Sequence, residues 1–107
     1  MIIRPIKKKD NKAMKTLIKE SLEKAGLAIP GTAYFDPQLD NLYDFYAKNP
    51  RSQYWVADMD GIIVGGVGIA PFSGTSICEL QKFYVSSDVQ GKGIGNHLME
   101  TALAFAE

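Results

Sequence analysis

The sequence predicts an α/β (α+β) fold in which helices flank a mixed, mostly antiparallel sheet. Three stretches carry apolar residues at a helical period, and four short apolar runs have the composition of strands. Two of those runs are separated only by Asp60-Gly61, which is typical of a two-residue hairpin turn. The predicted order is β-α-α-β-β-β-α, and 107 residues are enough for one domain spanning 1–107.

The first half of the chain predicts one strand and two helices. Residues 2–6 form a short strand, and Pro5 favours an edge position because proline donates no ladder hydrogen bond. Asp10 can cap a helix that runs to about Lys24. Its buried face is expected to carry Met14, Leu17, Ile18 and Leu22.

A second helix is predicted from Asp36-Pro37, a capping residue followed by proline at the first helical position, to about Lys48. One side of this helix carries Leu39, Leu42, Tyr43 and Tyr46, which helical spacing assigns to the core.

The second half predicts a three-stranded meander and a last helix. The strands are 53–59, 62–71 and 77–85, with a turn at 72–76, and the helix covers 96–107. The run Gly65-Gly66-Val67-Gly68 inside the second of these strands indicates a bulge or a close approach of substrate.

The glycine-rich run Gln90-Gly91-Lys92-Gly93-Ile94-Gly95 lies between the last strand and the last helix. Helix N-termini bind anions because their first N–H groups have no internal acceptor, and glycine lets the backbone approach a phosphate closely. We therefore expect a phosphate-bearing ligand here. The spacing matches neither the dinucleotide fingerprint nor the P-loop.

Composition narrows the function classes. The 12 basic residues balance the 12 acidic ones, so nothing favours a nucleic-acid partner. The longest apolar run is short and glycine-rich, so neither a membrane span nor a secretion signal is expected, and the predicted location is cytoplasmic. No metal-ligand cluster is recognisable; His97 is expected to be an ordinary helix residue, and Cys78 is not expected to be a nucleophile.

The pattern Gln-x-x-Gly-x-Gly, formed by Gln90, Gly93 and Gly95, resembles the acetyl-CoA motif of the GCN5-related N-acetyltransferase (GNAT) family. Phe83-Tyr84-Val85 end the strand before it, as in that family. The element order looks like the first part of the GNAT fold. The chain stops at Glu107 inside a helix, whereas the family typically continues with further strands and a helix, so the domain is expected to be truncated at its C-terminus. A homodimer is left open.

The resemblance implies transfer of an acetyl group from acetyl-CoA to a primary amine by direct attack. Glu79, on the strand leading to the turn, would be the base, and strand alternation places it on one face with Gln81, Phe83 and Val85. A solvent-facing glutamate, or one paired with Lys82, is the alternative. Main-chain groups of Phe83 and Val85 would hold the acetyl carbonyl and the pantetheine amide. The pyrophosphate would be held by the amides of Gln90, Gly91, Lys92, Gly93, Ile94 and Gly95.

In this family the loop between the first two helices commonly forms a wall of the acceptor pocket. The corresponding residues here are Tyr34, Phe35 and Asp36, although capping the second helix accounts for much of the role of Asp36. The runner-up function is a non-catalytic module that binds acyl-CoA as a sensor or interaction domain.

Overall fold

A computed structural model describes residues 1–71 and 77–106. Its centre is a four-stranded antiparallel sheet in the order β1-β2-β3-β4. The strands are β1 (Ile2–Pro5), β2 (Gln53–Met59), β3 (Ile62–Pro71) and β4 (Cys78–Val85). The predicted edge position of the first strand is confirmed, because β1 pairs with β2.

Helices cover both faces of the sheet. They are α1 (Asn11–Lys24), α2 (Leu42–Ala47) and α3 (Ile94–Ala106). The residues of β2 alternate between two cores: Tyr54 and Val56 pack with α1 and α2, whereas Trp55 and Ala57 pack with α3. No helix in the described ranges is long and apolar enough to span a membrane.

The β2–β3 hairpin turns in two residues, as predicted. Met59 pairs with Ile62, and both Asp60 (φ 53°) and Gly61 (φ 90°) are left-handed. This is the geometry that an Asp-Gly turn supports.

The glycines of β3 make room for core side chains rather than for a substrate. A Cβ on Gly66 would lie 2.7 Å from Met14 Sδ and from the Tyr54 hydroxyl, and a Cβ on Gly68 would lie 2.7 Å from the Tyr46 hydroxyl. Bulges do occur, between Ala57 and Asp58 in the register of β2 with β3, and opposite Gly66–Gly68 in β4.

Two predictions about the helices are wrong in detail, one about the cap of α1 and one about the continuity of the second helix. The Asp10 side chain does not cap α1; it accepts from the Lys7 N–H (2.8 Å) and pairs with Arg4 (2.7 Å).

The second predicted helix divides at Asn41 into a 3₁₀ turn, Pro37–Asp40, and α2. Asp36 caps the 3₁₀ turn by accepting from the Gln38 N–H at 2.9 Å. The predicted turn at 72–76 and the end of the last helix at 107 lie outside the described residues.

Candidate active site

The glycine-rich turn forms an open depression at the start of α3. Gly91 (φ 88°) and Gly93 (φ 77°) both have left-handed backbones, and within residues 1–71 and 77–106 no neighbouring atom lies within 4 Å of a Cβ built on either. The first α3 hydrogen bond here runs from the His97 N–H to the Gly93 carbonyl (3.1 Å). The three preceding amides therefore have no acceptor within the helix. The depression, of about 470 Å³, is lined by Val85, Val89, Gln90, Gly91, Gly93, Ile94, Gly95 and Asn96.

The end of β4 holds this turn in place. The Ser86 N–H donates to the Val64 carbonyl at 2.8 Å, and the 3₁₀ turn Ser87–Val89 buries Val89 against the α3 side of the sheet. An anion at the turn would thus face backbone donors on a fixed support, with the positive end of the α3 dipole behind them.

The strand β4 carries a bulge at Lys82. The register passes from Gly66↔Tyr84 to Gly68↔Gln81, so Lys82 and Phe83 together face Val67. Lys82 has a left-handed backbone (φ 46°), which is uncommon for a residue other than glycine. The Tyr54 hydroxyl donates to the Lys82 carbonyl at 2.8 Å.

Because of this bulge, the prediction that Glu79, Gln81, Phe83 and Val85 share a face is wrong. Phe83 and Val85 lie on the α3 side, within 3.5 and 3.8 Å of a Cβ built on Gly95. Gln81 lies on the α2 side, where its Oε1 accepts from the Tyr46 hydroxyl at 2.8 Å. Glu79 belongs with Gln81, whose Nε2 donates to Glu79 Oε1 at 2.9 Å.

Two sets of hydrogen-bonded side chains lie on the α2 side of β4. One joins Lys82 to Asp36 and Gln38, and the other joins Gln81 to Tyr46 and Glu79. We call these six residues the acceptor-side cluster. Lys82 Nζ lies 3.0 Å from Asp36 Oδ2 and 3.0 Å from Gln38 Oε1, with only 12% of its side chain exposed. Glu79 is exposed. The lysine thus pairs with Asp36, not with Glu79.

Burial raises the pKa of the Tyr46 phenol, and the nearby Asp36 and Glu79 carboxylates raise it further. The hydroxyl therefore stays protonated and serves as a donor. By donating to Gln81 Oε1 it orients the amide so that Nε2 points to Glu79.

The side chains of Tyr34 and Phe35, the two aromatic residues predicted beside Asp36, make their contacts outside the acceptor-side cluster. The Tyr34 hydroxyl donates to Glu23 Oε2 at 2.6 Å, and Lys19 Nζ lies 4.6 Å from its ring centre. Phe35 packs edge-on against Tyr34 and is 62% exposed. Of the three predicted acceptor residues, the structure brings Asp36 to β4.

Four residues of this cluster were not predicted as site residues from the sequence: Gln38, Tyr46, Gln81 and Lys82. Helical spacing assigned Tyr46 to the core, where its ring does lie, but gave no hint that its hydroxyl reaches Gln81. Strand alternation already placed Gln81 on the face of Glu79, but Lys82 could have been found only by locating the bulge, which nothing in its residue type marks.

Comparison with known proteins agrees with the fold. The model of the acetyltransferase (GNAT) family matches residues 12–107. The chain is 39% identical over 108 residues to YjgM of Escherichia coli K12, an uncharacterized N-acetyltransferase, and this match covers 98% of the chain but 64% of that relative.

Solved structures share the architecture. A GNAT-family acetyltransferase from Staphylococcus aureus Mu50 superposes with a TM-score of 0.81 at 22% identity, over 98% of this chain and 65% of its own. The PaiA N-acetyltransferase of Thermoplasma acidophilum, solved with coenzyme A, gives 0.79 at 19% identity, over 98% of this chain and 70% of its own. The order of elements, the fold and the family match lead to one conclusion: this chain belongs to the GNAT family of acetyltransferases.

Proposed function

We propose that the chain binds acetyl-CoA and belongs to an N-acetyltransferase that transfers the acetyl group to a primary amine. The observation that carries the proposal is the open turn between the bulged β4 and α3, in a chain of the GNAT family. The chain spans about two thirds of the length of its E. coli relative, so the proposal concerns the whole enzyme as well as this part.

In this proposal the turn holds the diphosphate of acetyl-CoA. Gly91 and Gly93 present a backbone without side chains, and the amides of Ile94, Gly95 and Asn96 precede the first α3 hydrogen bond. Lys92 is exposed beside them and can add positive charge. Upstream, main-chain groups of Phe83 and Val85 would hold the acetyl carbonyl and the pantetheine amide, with Tyr84 between them.

The proposed reaction is direct attack of the amine on the thioester. An alkylammonium has a pKa of about 10, so a proton must leave before nitrogen can attack. Glu79 would take this proton, directly or through a water. A new C–N bond forms as the C–S bond breaks, and the electron pair leaves on the thiolate sulfur. The second proton of the attacking nitrogen passes to that thiolate, directly or through water, which gives the amide and the free thiol.

The acceptor-side cluster supports Glu79 as this base. Gln81 fixes one carboxylate oxygen at 2.9 Å, and Asp36, on the loop before α2, reaches β4 through Lys82. The amine would then approach between this loop and the exposed carboxylate of Glu79. Tyr34 and Phe35 would lie at the outer margin of such a pocket.

Glu79→Gln tests the catalytic part of the proposal. We expect turnover to fall by about 10²–10⁴-fold, the usual contribution of a general base, with unchanged affinity for acetyl-CoA. The measurement is acetyl transfer to a panel of primary amines, together with calorimetric titration of acetyl-CoA. Glu100→Gln, at an exposed position of α3, is the matched control and should leave both values unchanged. An unchanged rate in Glu79→Gln would remove Glu79 from the mechanism.

A second function of another class is a non-catalytic acyl-CoA module. The observation that favours it is the exposure of Glu79, on the face of β4 opposite to Phe83 and Val85. Acetyl-CoA binding without transfer to any amine, in the chain and in a form as long as its relatives, would support the module and exclude the enzyme.

A further inference from the structure

The Tyr54 hydroxyl has a specific partner at the end of a buried side chain. Tyr54 is fully buried in the α1-side core, and its O–H donates to the Lys82 carbonyl at 2.8 Å. Gly66, on the neighbouring strand, makes this possible, since any Cβ there would lie 2.7 Å from the hydroxyl. Packing alone would be served by phenylalanine, so the hydroxyl has a role beyond filling space.

That partner is the bulge residue of β4. A left-handed backbone is unfavourable for lysine, and a bulge takes local groups out of the ladder between strands. The carbonyl of Lys82 is bonded by a side chain, Tyr54, instead. Without this donor, a partly buried acceptor would lose its partner, which is unfavourable as well.

The side chain of Lys82 is also held. Its ammonium group lies 3.0 Å from both Asp36 and Gln38, on the loop before α2. The backbone of Lys82 is thereby held by Tyr54 of the core, and its side chain is held by Asp36 and Gln38 before α2. The next residue along the strand is Phe83, whose main chain is proposed to hold the acetyl carbonyl.

We propose that Tyr54 is a positioning residue for acyl transfer: its hydroxyl holds the Lys82 bulge and so aims the main chain of Phe83 at the thioester carbonyl. This rests on the proposed function, since it requires acetyl-CoA along β4. Tyr54 itself touches no substrate. Its effect is on the polarisation of the carbonyl and much less on the affinity of the turn for diphosphate, because Gly91 and Gly93 lie beyond Val85.

Tyr54→Phe removes the hydroxyl and keeps the ring. We expect the fold to be retained, the affinity for acetyl-CoA to change by less than about twofold, and the amides of residues 82–84 to exchange with solvent at least about tenfold faster. With [1-¹³C]acetyl-CoA, the downfield shift of the bound carbonyl should be largely lost. Tyr43→Phe, on α2 and outside the proposed site, is the control and should alter none of these values.

Unchanged exchange and an unchanged carbonyl shift in Tyr54→Phe, with acetyl-CoA bound, would overturn this inference while leaving the proposed function in place. Absence of acetyl-CoA binding by the unmodified chain would overturn both.

Discussion

Arg4 lies between two carboxylates and ties the edge strand β1 to the start of α1 and to β2. Its guanidinium is 2.7 Å from Asp10 and 3.2 Å from Asp58. Burial by itself would raise the pKa of Asp10, but the hydrogen bonds from Arg4 and from the Lys7 N–H outweigh it and lower that pKa. The pKa of Asp58 is lowered mainly by the hydrogen bond from the Gly61 N–H, with a further contribution from Arg4, and burial opposes both.

These directions set how stability depends on pH. A carboxyl group whose pKa is lower in the folded state stabilises the fold above its unfolded pKa of about 4, and this contribution is lost as the pH falls through the folded pKa. Asp10→Asn should therefore lower the free energy of unfolding at neutral pH by about 1.5–3 kcal/mol, the range for hydrogen bonds to charged groups. Urea denaturation at neutral pH and below about pH 4 would measure it, and the difference from the unmodified chain should shrink in acid.

Asp44→Asn is the control for this prediction. Asp44 is 48% exposed and lies 3.8 Å from an exposed lysine, Lys8, so the pair contributes little. A loss of stability for Asp44→Asn equal to that for Asp10→Asn would show that the ion pairs of Arg4 contribute no more than the exposed pair. A difference for Asp10→Asn that does not depend on pH would contradict the prediction as well.

Residue roles were the least predictable from the sequence. Asp10 was expected to cap α1 because its type and position suit a cap, but the Arg4 guanidinium and the Lys7 N–H, both before the helix, occupy its carboxylate. The face of the sheet on which Glu79 lies was predicted from strand alternation, relative to Phe83 and Val85. The alternation is broken at Lys82, and the residue type gives no sign that this lysine has a left-handed backbone. Asp36 was expected both to cap a helix and to lie near the acceptor; the cap is confirmed, and the second role stays a proposal.

At the scale of elements, the unit strand–turn–helix carries the proposed cofactor site. The strand and the helix could be predicted from apolar periodicity and the turn from its glycines. The start of α3 at Ile94 rather than at residue 96 places two more residues of the motif in the first helical turn. Helix 2 was predicted too long because Asn41 (φ −143°) breaks the helical backbone between Asp40 and Leu42.

Two glycines of similar geometry allow a matched test of this turn. Gly93 (φ 77°) and Gly61 (φ 90°) both have left-handed backbones with no atom within 4 Å of a built Cβ. Valine at either position should cost comparable stability, because the backbone is strained in both. Gly93→Val should also weaken acetyl-CoA binding at least about tenfold, since its side chain occupies the depression at the turn.

Calorimetric titration of acetyl-CoA into the two variants makes the comparison, with thermal unfolding to match their stabilities. Gly61→Val should bind like the unmodified chain, because its hairpin turn is not part of the depression beside α3. Equal affinities for Gly93→Val and the unmodified chain would place the ligand elsewhere.

At the scale of the whole molecule, one sheet separates two cores, and β4 directs side chains toward each of them. Phe83 and Val85 face α3, whereas Gln81 and Tyr84 face α1 and α2. The bulge at Lys82 is the point where the strand makes this division. It lets one strand contribute to the proposed cofactor site and to the acceptor-side cluster. The element order and the family could be predicted from the sequence, because periodicity and the glycine motif are local. Which side chains of β4 face each core could not be predicted, because this depends on the register of β4 with β3.

Titration of acetyl-CoA into this chain, compared with S-acetylpantetheine, tests the central claim most directly. If the turn before α3 holds the diphosphate, acetyl-CoA should bind with a dissociation constant in the micromolar range, about −8 kcal/mol, and S-acetylpantetheine should bind at least about tenfold more weakly. No heat of binding from a chain shown to be folded by circular dichroism, or equal affinity for the two thioesters, would contradict the account.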